Sequence, residues 1–218
     1  MALFLDSALV DDARRAAELG IVWGATTNPT LMAQAGRDPL EIIAEFCEWL
    51  PGTVFYQLCA PTLAGREAEA LRVVQIEPAQ VGLKIPCTTE NLGLLATLTD
   101  QGITCAVTAV FSAYQVYLAC EAGAHFIIPY VNRSTRLQGD GPGLVREMRA
   151  VIDAADTETE LLAASLKTPA EVVETVLAGA HHLALPLGLI LALGEHPLSQ
   201  QAIAEFGNGL TDVAPRVP

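Results

Sequence analysis

Short apolar runs recur along the chain, and longer stretches with helical spacing separate them. The runs are Leu3–Asp6, Ile21–Thr26, Thr53–Cys59, Val81–Ile85, Cys105–Val110, Phe126–Val131, Leu161–Ser165 and His182–Leu187. Each reads as a strand. Between them, Asp11–Leu19 sets Ala13, Ala16, Ala17 and Leu19 on one side, and Thr62–Ile76 does the same with Leu63, Ala64, Ala68, Leu71 and Val74. Thr89–Thr99, Ala113–Ala122, Leu144–Ala155 and Pro169–Leu177 repeat the pattern, which predicts amphipathic helices. Gly20, Gly102, Gly123 and Gly179 fall at the ends of helical stretches, where a left-handed C-terminal cap is expected. Thr168-Pro169 followed by Glu171 reads as a helix start.

Strand and helix in regular alternation predict a parallel sheet. Eight such units predict a closed (β/α)8 TIM barrel occupying residues 1–218 as one domain, with a C-terminal helix and tail from about residue 196. A doubly wound open sheet is the competing architecture, but no GxGxxG follows the first strand. The stretch from Gly207 to Pro218, rich in Gly and Pro, reads as a tail that is loose or packed on a neighbour.

Composition narrows the function. The 218 residues are 51% hydrophobic, enough for a large core. A net charge of −13 argues against nucleic acid and anionic membrane as partners. Five cysteines at wide spacings, with no CxxC, suit reduced thiols, mostly buried, in a cytoplasmic protein. The N-terminus MALFLDSALVDD has no basic leader segment, so no signal peptide is expected. The apolar stretch Leu183–Leu193 is too short to span a bilayer.

Barrel chemistry sits at the C-terminal ends of the strands. In order, those ends carry Asp6, then Thr26-Thr27-Asn28-Pro29-Thr30, Gln57, Lys84, Thr108, Tyr130 with Asn132 and Arg133 beyond it, and Ser165 followed by Lys167. One polar strand residue means little: Asp6 alone could be a helix cap and Thr26 a β-branched filler. Seven successive strand ends with hydrogen-bonding side chains point to a binding cavity.

Of the twelve cations only Lys84 and Lys167 are lysines. Strand parity puts Gly82, Lys84 and Pro86 on one face, facing into the barrel, and Leu83 and Ile85 on the other. A confined ammonium loses hydration, its pKa falls, and the neutral amine can condense with a carbonyl. The plain alternative is a structural lysine at a strand end, or one paired with Asp6. Lys167 follows Ser165 and precedes the Thr168-Pro169 helix start, a place where free backbone N–H groups would bind an anion, with Arg133 adding a bidentate grip. Its plain alternative is a solvated loop cation.

Other candidates carry less. His181-His182 should lie at the opposite end of the barrel, so no metal site is expected. Gly139–Gly143 lacks the lysine of a phosphate loop and reads as a connection into the next helix. Cys59 and Cys87 could face the mouth, but neither has a histidine base, and both are expected to be structural.

The elements Phe4-Leu5-Asp6, Gly24-Ala25-Thr26-Thr27-Asn28-Pro29-Thr30, Lys84-Ile85-Pro86, Tyr130-Val131-Asn132-Arg133 and Ala163-Ala164-Ser165-Leu166-Lys167 together resemble the small transaldolase and fructose-6-phosphate aldolase family. The resemblance runs from residue 3 to about residue 206. It implies a (β/α)8 barrel and class I aldolase chemistry, with a Schiff base on Lys84 and neither metal nor cofactor. Within the family, Gln57 stands where transaldolases carry glutamate, Tyr130 where they typically carry phenylalanine, and Ala106 where they tend to carry asparagine. These positions resemble the aldolase branch. The resemblance implies that Lys84 attacks the C2 ketone and that Tyr130 serves as acid through a water placed by Gln57 and Thr108. It implies that Asp6 and Asn28 hold the hydroxyls of the dihydroxyacetone unit, that Thr26 helps Gln57 and Thr108 place the water and polarise the iminium, and that Arg133, Ser165 and Lys167 bind phosphate. The implied reaction is reversible cleavage of fructose 6-phosphate to dihydroxyacetone and glyceraldehyde 3-phosphate. The alternatives are a transaldolase passing the three-carbon unit between sugar phosphates, and a non-catalytic sugar-phosphate-binding barrel. The resemblance also implies a homo-oligomer, pentamer or decamer, although the stretch after Phe206 lacks the aromatic C-terminal helix of the aldolases.

Overall fold

The computed structural model describes residues 1–211, with side chains through residue 206. In chain order the elements are β1 (Leu3–Asp6), α1 (Val10–Leu19), β2 (Val22–Thr26), α2 (Pro29–Ala35), α3 (Pro39–Trp49), β3 (Val54–Gln57), α4 (Leu63–Val73), β4 (Val81–Pro86), α5 (Thr89–Asp100), β5 (Cys105–Val110), α6 (Ala113–Glu121), β6 (Phe126–Pro129), α7 (Val131–Gln138), α8 (Gly141–Ala155), β7 (Glu160–Ala163), α9 (Pro169–Leu177), β8 (His182–Leu185), α10 (Leu187–Ala192) and α11 (Pro197–Thr211). Every strand pairs in parallel with the next, and β8 pairs with β1. The expected (β/α)8 TIM barrel is what the chain forms.

Strand parity builds two cores. Outward residues such as Leu83, Ile85, Val107 and Ile127 pack beneath the helices in one large cluster. Inward residues Phe4, Phe55, Ala106, Ile128, Leu162, Ala164 and Ala184 form a separate cluster inside the barrel. Large and small alternate there. A Cβ on Gly24 would lie 2.1 Å from the Thr53 carbonyl oxygen, and one on Gly82 would lie 2.6 Å from the Phe55 ring. These two glycines leave room for Phe4 and Phe55. At the base, Phe4, Phe55, Phe126 and His182 meet mostly edge to face, with centroids 5.5 to 6.4 Å apart. His182 Nδ1 accepts from Ala2 N at 2.9 Å, and its Nε2 lies 2.8 Å from Glu160 Oε2. His181 Nδ1 accepts from Leu161 N at 2.8 Å. Both histidines lie at the strand starts, as strand order predicts.

Several strands stop short of their apolar runs, for local reasons. β3 stops at Gln57 because the N–H groups of Cys59 and Ala60 turn to the Glu69 carboxylate, at 3.0 and 2.9 Å. β7 stops at Ala163 because Ser165 turns left-handed, φ 62°. β8 stops at Leu185 because Pro186 has no N–H to give and opens α10.

Helices α2, α3 and α7 lie outside the predicted helical stretches, although α3 buries Ile42, Ile43 and Phe46 along one face. Both α2 and α3 are also marked by caps. Asn28 Oδ1 accepts from Leu31 N at 3.0 Å and Asp38 Oδ1 from Leu40 N at 2.8 Å, each followed by proline. The Gly139–Gly143 stretch is also not merely a connection. Helix α8 starts inside it, at Gly141, with Asp140 Oδ1 accepting from Gly143 N at 2.7 Å. The glycine caps are as expected: Gly20, Gly102, Gly123 and Gly179 all have positive φ. The expected tail from Gly207 is helical as far as Thr211, the end of α11, and its remainder lies outside the described residues.

Candidate active site

The inward positions of the last barrel layer bring together Asp6, Thr26, Gln57, Lys84, Thr108 and Tyr130. The ladder register sets Asp6 beside Thr26, Gln57 beside Lys84, and Pro86 beside Thr108. They open into a mouth cavity of about 480 Å³ lined by Asp6, Asn28, Gln57, Lys84, Tyr130, Arg133, Ser165 and Lys167, with Ala164 and one wall from α2: Pro29, Thr30, Leu31 and Gln34. Hydrophobic periodicity does not predict that wall, because it does not predict α2. The Asn28-Pro29 cap is the signal that could reveal it.

Lys84 is 3% exposed, yet it lines the cavity. Its ammonium donates to Thr27 O at 2.8 Å. Burial lowers its pKa from 10.5 to about 8, against the opposing field of Asp6. Among the described residues it forms no ion pair, so the structural pairing with Asp6 is not what holds it.

Two expected contact residues stand one step behind the wall. Thr26 Oγ1 donates to Asp6 Oδ1 at 3.0 Å and fixes that carboxylate. Thr108, fully buried, places its Oγ1 3.0 Å from the Tyr130 hydroxyl. Tyr130 is further held by the Arg133 guanidinium, 5.0 Å above its ring centroid, and by the Phe111 ring, edge to face with centroids 5.9 Å apart. Gln57 Oε1 is buried without a hydrogen-bond partner in the protein. Such an acceptor calls for a bound hydroxyl or water.

The anion end departs from expectation. The start of α9 is already occupied by its own carboxylate. Glu171 Oε2 accepts from Lys167 N at 2.7 Å and its Oε1 from Asn132 Nδ2 at 2.6 Å, while Thr168 Oγ1 accepts from Glu171 N at 3.2 Å. The Lys167 N–H is therefore not free for a ligand. Arg133, Ser165 and Lys167 nevertheless line the cavity.

The thiols take no part in this cavity. Cys105 and Cys120 are buried and Cys47 and Cys87 half-buried, whereas Cys59 is exposed. Burial and the neighbouring Glu69 push the Cys59 thiol up, and burial does the same at Cys87. Neither is an activated nucleophile. Cys59 instead lines a second cavity of about 290 Å³ beneath α2, with Tyr56 and Met32. Among the described residues no group of three or more His, Cys, Asp or Glu stands where it could hold a metal ion. No described helix is long and apolar enough to cross a membrane.

A family model described as "Transaldolase/Fructose-6-phosphate aldolase" matches residues 3–214. A protein of Geotalea uraniireducens (strain Rf4) named "Probable transaldolase" is 37% identical over 206 residues, covering 94% of this chain and 96% of its own. One of the same name from Caulobacter vibrioides (strain NA1000 / CB15N) is 38% identical over 206 residues, covering 94% of each. Among solved structures, a mandelate oxidase crystal structure matches with TM-score 0.62 at 14% identity, over 88% of this chain and 67% of the other. That last likeness speaks for the barrel fold alone.

Proposed function

The chain belongs to the Transaldolase/Fructose-6-phosphate aldolase family, and from that premise we propose that it performs Schiff-base aldol chemistry on Lys84. The observation that carries the reading is the lysine itself. It is buried at the barrel mouth, lines the cavity, and has a pKa lowered to about 8. Near neutral pH a usable fraction of it is neutral amine.

In this reading the Lys84 amine attacks the C2 carbonyl of a ketose. The carbinolamine then loses its oxygen as water, with Tyr130 supplying the proton through a water bound at Gln57. The protonated imine accepts the electron pair of the breaking C3–C4 bond while the C4 hydroxyl gives its proton toward Asp6. An aldehyde departs and an enamine stays on Lys84. Asn28 and Asp6 hold the hydroxyls of the three-carbon unit. Arg133, Ser165 and Lys167 take the phosphate of the other half, as side chains and not through helix amides. The imine is the electron sink, so the reading uses no cofactor.

The enamine has two fates. The names of the relatives support transfer to an aldose phosphate, the transaldolase outcome. One observation favours release instead: Gln57 has no titratable proton, and the Tyr130 hydroxyl, 3.0 Å from Thr108 Oγ1, lines the same cavity as Lys84 and offers an acid in its place. Protonation at C3 and hydrolysis would then free dihydroxyacetone, giving net cleavage of fructose 6-phosphate. We also propose a homo-oligomer, supported by the exposed Leu198, Ile203 and Phe206 on α11.

The test is borohydride reduction in the presence of dihydroxyacetone or fructose 6-phosphate, with the adduct located by mass spectrometry. An adduct on Lys84 that vanishes in Lys84→Met is expected. No adduct, or one that survives the substitution, leaves the sugar-phosphate-binding barrel. Free dihydroxyacetone measured with and without erythrose 4-phosphate then divides release from transfer.

A further inference from the structure

Strand β5 breaks its own alternation at the mouth. Val107 faces outward into the helix layer and Thr108 faces inward. Strict parity would turn Val110 inward. Val110 is instead fully buried in the outer layer with Val107. The ladder shows how: Thr108 pairs with Ile128 and Val110 with Pro129, so β5 spends two residues where β6 spends one. The extra residue is Ala109, which sits left-handed at φ 59°. L side chains rarely adopt that conformation, and a bulge beside an active site re-aims the residues after it.

The side chain re-aimed here is Phe111. Its N–H donates to Gln115 Oε1 at 2.9 Å, and its carbonyl accepts from Gln138 Nε2 at 3.1 Å, so its backbone is held on both sides. Its ring then stands at 81° to Tyr130, 5.9 Å away. The residue before the bulge, Thr108, holds the Tyr130 hydroxyl at 3.0 Å. One left-handed residue therefore lies between the group that fixes the phenol oxygen and the group that fixes the ring.

We propose that the Ala109 bulge and Phe111 are positioning residues that aim the Tyr130 hydroxyl at the oxygen leaving the Lys84 adduct. The proposal rests on the reading of Tyr130 as the acid. It makes a specific demand on sequence: position 109 accepts glycine, which is at ease at positive φ, and rejects β-branched residues.

The test is a set of double-mutant cycles on the full chain. Ala109→Gly, Ala109→Val and Phe111→Leu are each made alone and with Tyr130→Phe, and kcat and KM for ketose cleavage are measured. Ala109→Gly is expected to keep kcat within about two-fold. Ala109→Val and Phe111→Leu are expected to lower kcat by about ten-fold or more, inside the range for a misplaced general acid, with KM moving less than about three-fold. In the Tyr130→Phe background both losses should vanish, because residues acting through one group are not additive. Losses that persist undiminished in that background, or an Ala109→Val enzyme of normal kcat, overturn the positioning role while leaving Tyr130 as the acid. A fully active Tyr130→Phe overturns the acid reading and this proposal with it. If Ala109→Val does not fold, the Phe111→Leu cycle decides alone.

Discussion

Replacing Lys84 with methionine should make the protein more stable at neutral pH, and the gain should depend on pH in a way that only a buried lysine explains. Burial takes the pKa of Lys84 from 10.5 to about 8. The gap, about 2.5 pH units, corresponds to about 3 kcal/mol at ~1.4 kcal/mol per unit. Below pH 8 the side chain is charged both folded and unfolded, so the whole cost of burying the ammonium falls on the folded state. Between pH 8 and 10.5 the folded state has released a proton that the unfolded state still holds. The unfolded state binds more protons there, so wild-type stability rises across that window, and above 10.5 the cost is gone. Methionine fills a similar volume without charge, but leaves Thr27 O without its donor, a loss of about 1 kcal/mol. The net expectation at pH 7 is a variant more stable by about 2 kcal/mol, or about 4–8 °C in Tm for a chain of this size. The advantage should disappear and then reverse as pH approaches 10.5. Urea unfolding of both proteins at pH 7, 8, 9 and 10 measures it. A difference that stays constant across those four pH values would refute the buried-lysine energetics.

The same geometry sets three further outcomes. The rate of borohydride-trappable imine formation should climb about ten-fold per pH unit below 8 and level off above it, since only the neutral amine attacks; a flat profile from pH 6 to 9 contradicts the assigned nucleophile. Gln57→Glu should lower the free dihydroxyacetone released per ketose consumed and raise transfer to erythrose 4-phosphate; an unchanged product ratio rules out Gln57 as the determinant. Gly24→Ala should cost at least the ~1–3 kcal/mol typical of overpacking, and more than Gly82→Ala, because its Cβ meets the Thr53 backbone at 2.1 Å whereas the second meets the Phe55 side chain at 2.6 Å. Equal denaturation midpoints for the two variants would contradict this packing account.

Lys84 is legible in the sequence because β parity has a period of two and its neighbours Leu83 and Ile85 declare the outward face. Asp6, Gln57 and Tyr130 obey the same rule at neighbouring strand ends. Parity gives direction but not depth, which is why Thr26 and Thr108 can be assigned to the mouth but not to the row behind it. Helix α2 is hidden because seven residues hold too few apolar repeats to show a period, and its signal lies in a cap. The Glu171 carboxylate is hidden for another reason. A sequence that marks a helix start does not say whether its amides are met by a ligand or by a side chain of the same turn. The left-handed turn at Ala109 has no compositional trace, since alanine carries none of the preference for positive φ that glycine or asparagine would signal.

The ring stack of Phe4, Phe55, Phe126 and His182 fills the barrel at its base, so among the described residues Lys84 is approached through the mouth cavity. On the proposed Schiff-base reading, a cleaved aldehyde must leave by the route that an incoming aldehyde or water uses, while the other fragment stays tethered to the lysine. Departure and arrival therefore exclude one another, and the order of events is imposed by architecture. For the proposed transfer to an aldose, the kinetic consequence is a double displacement in which the first product leaves before the second reactant is bound.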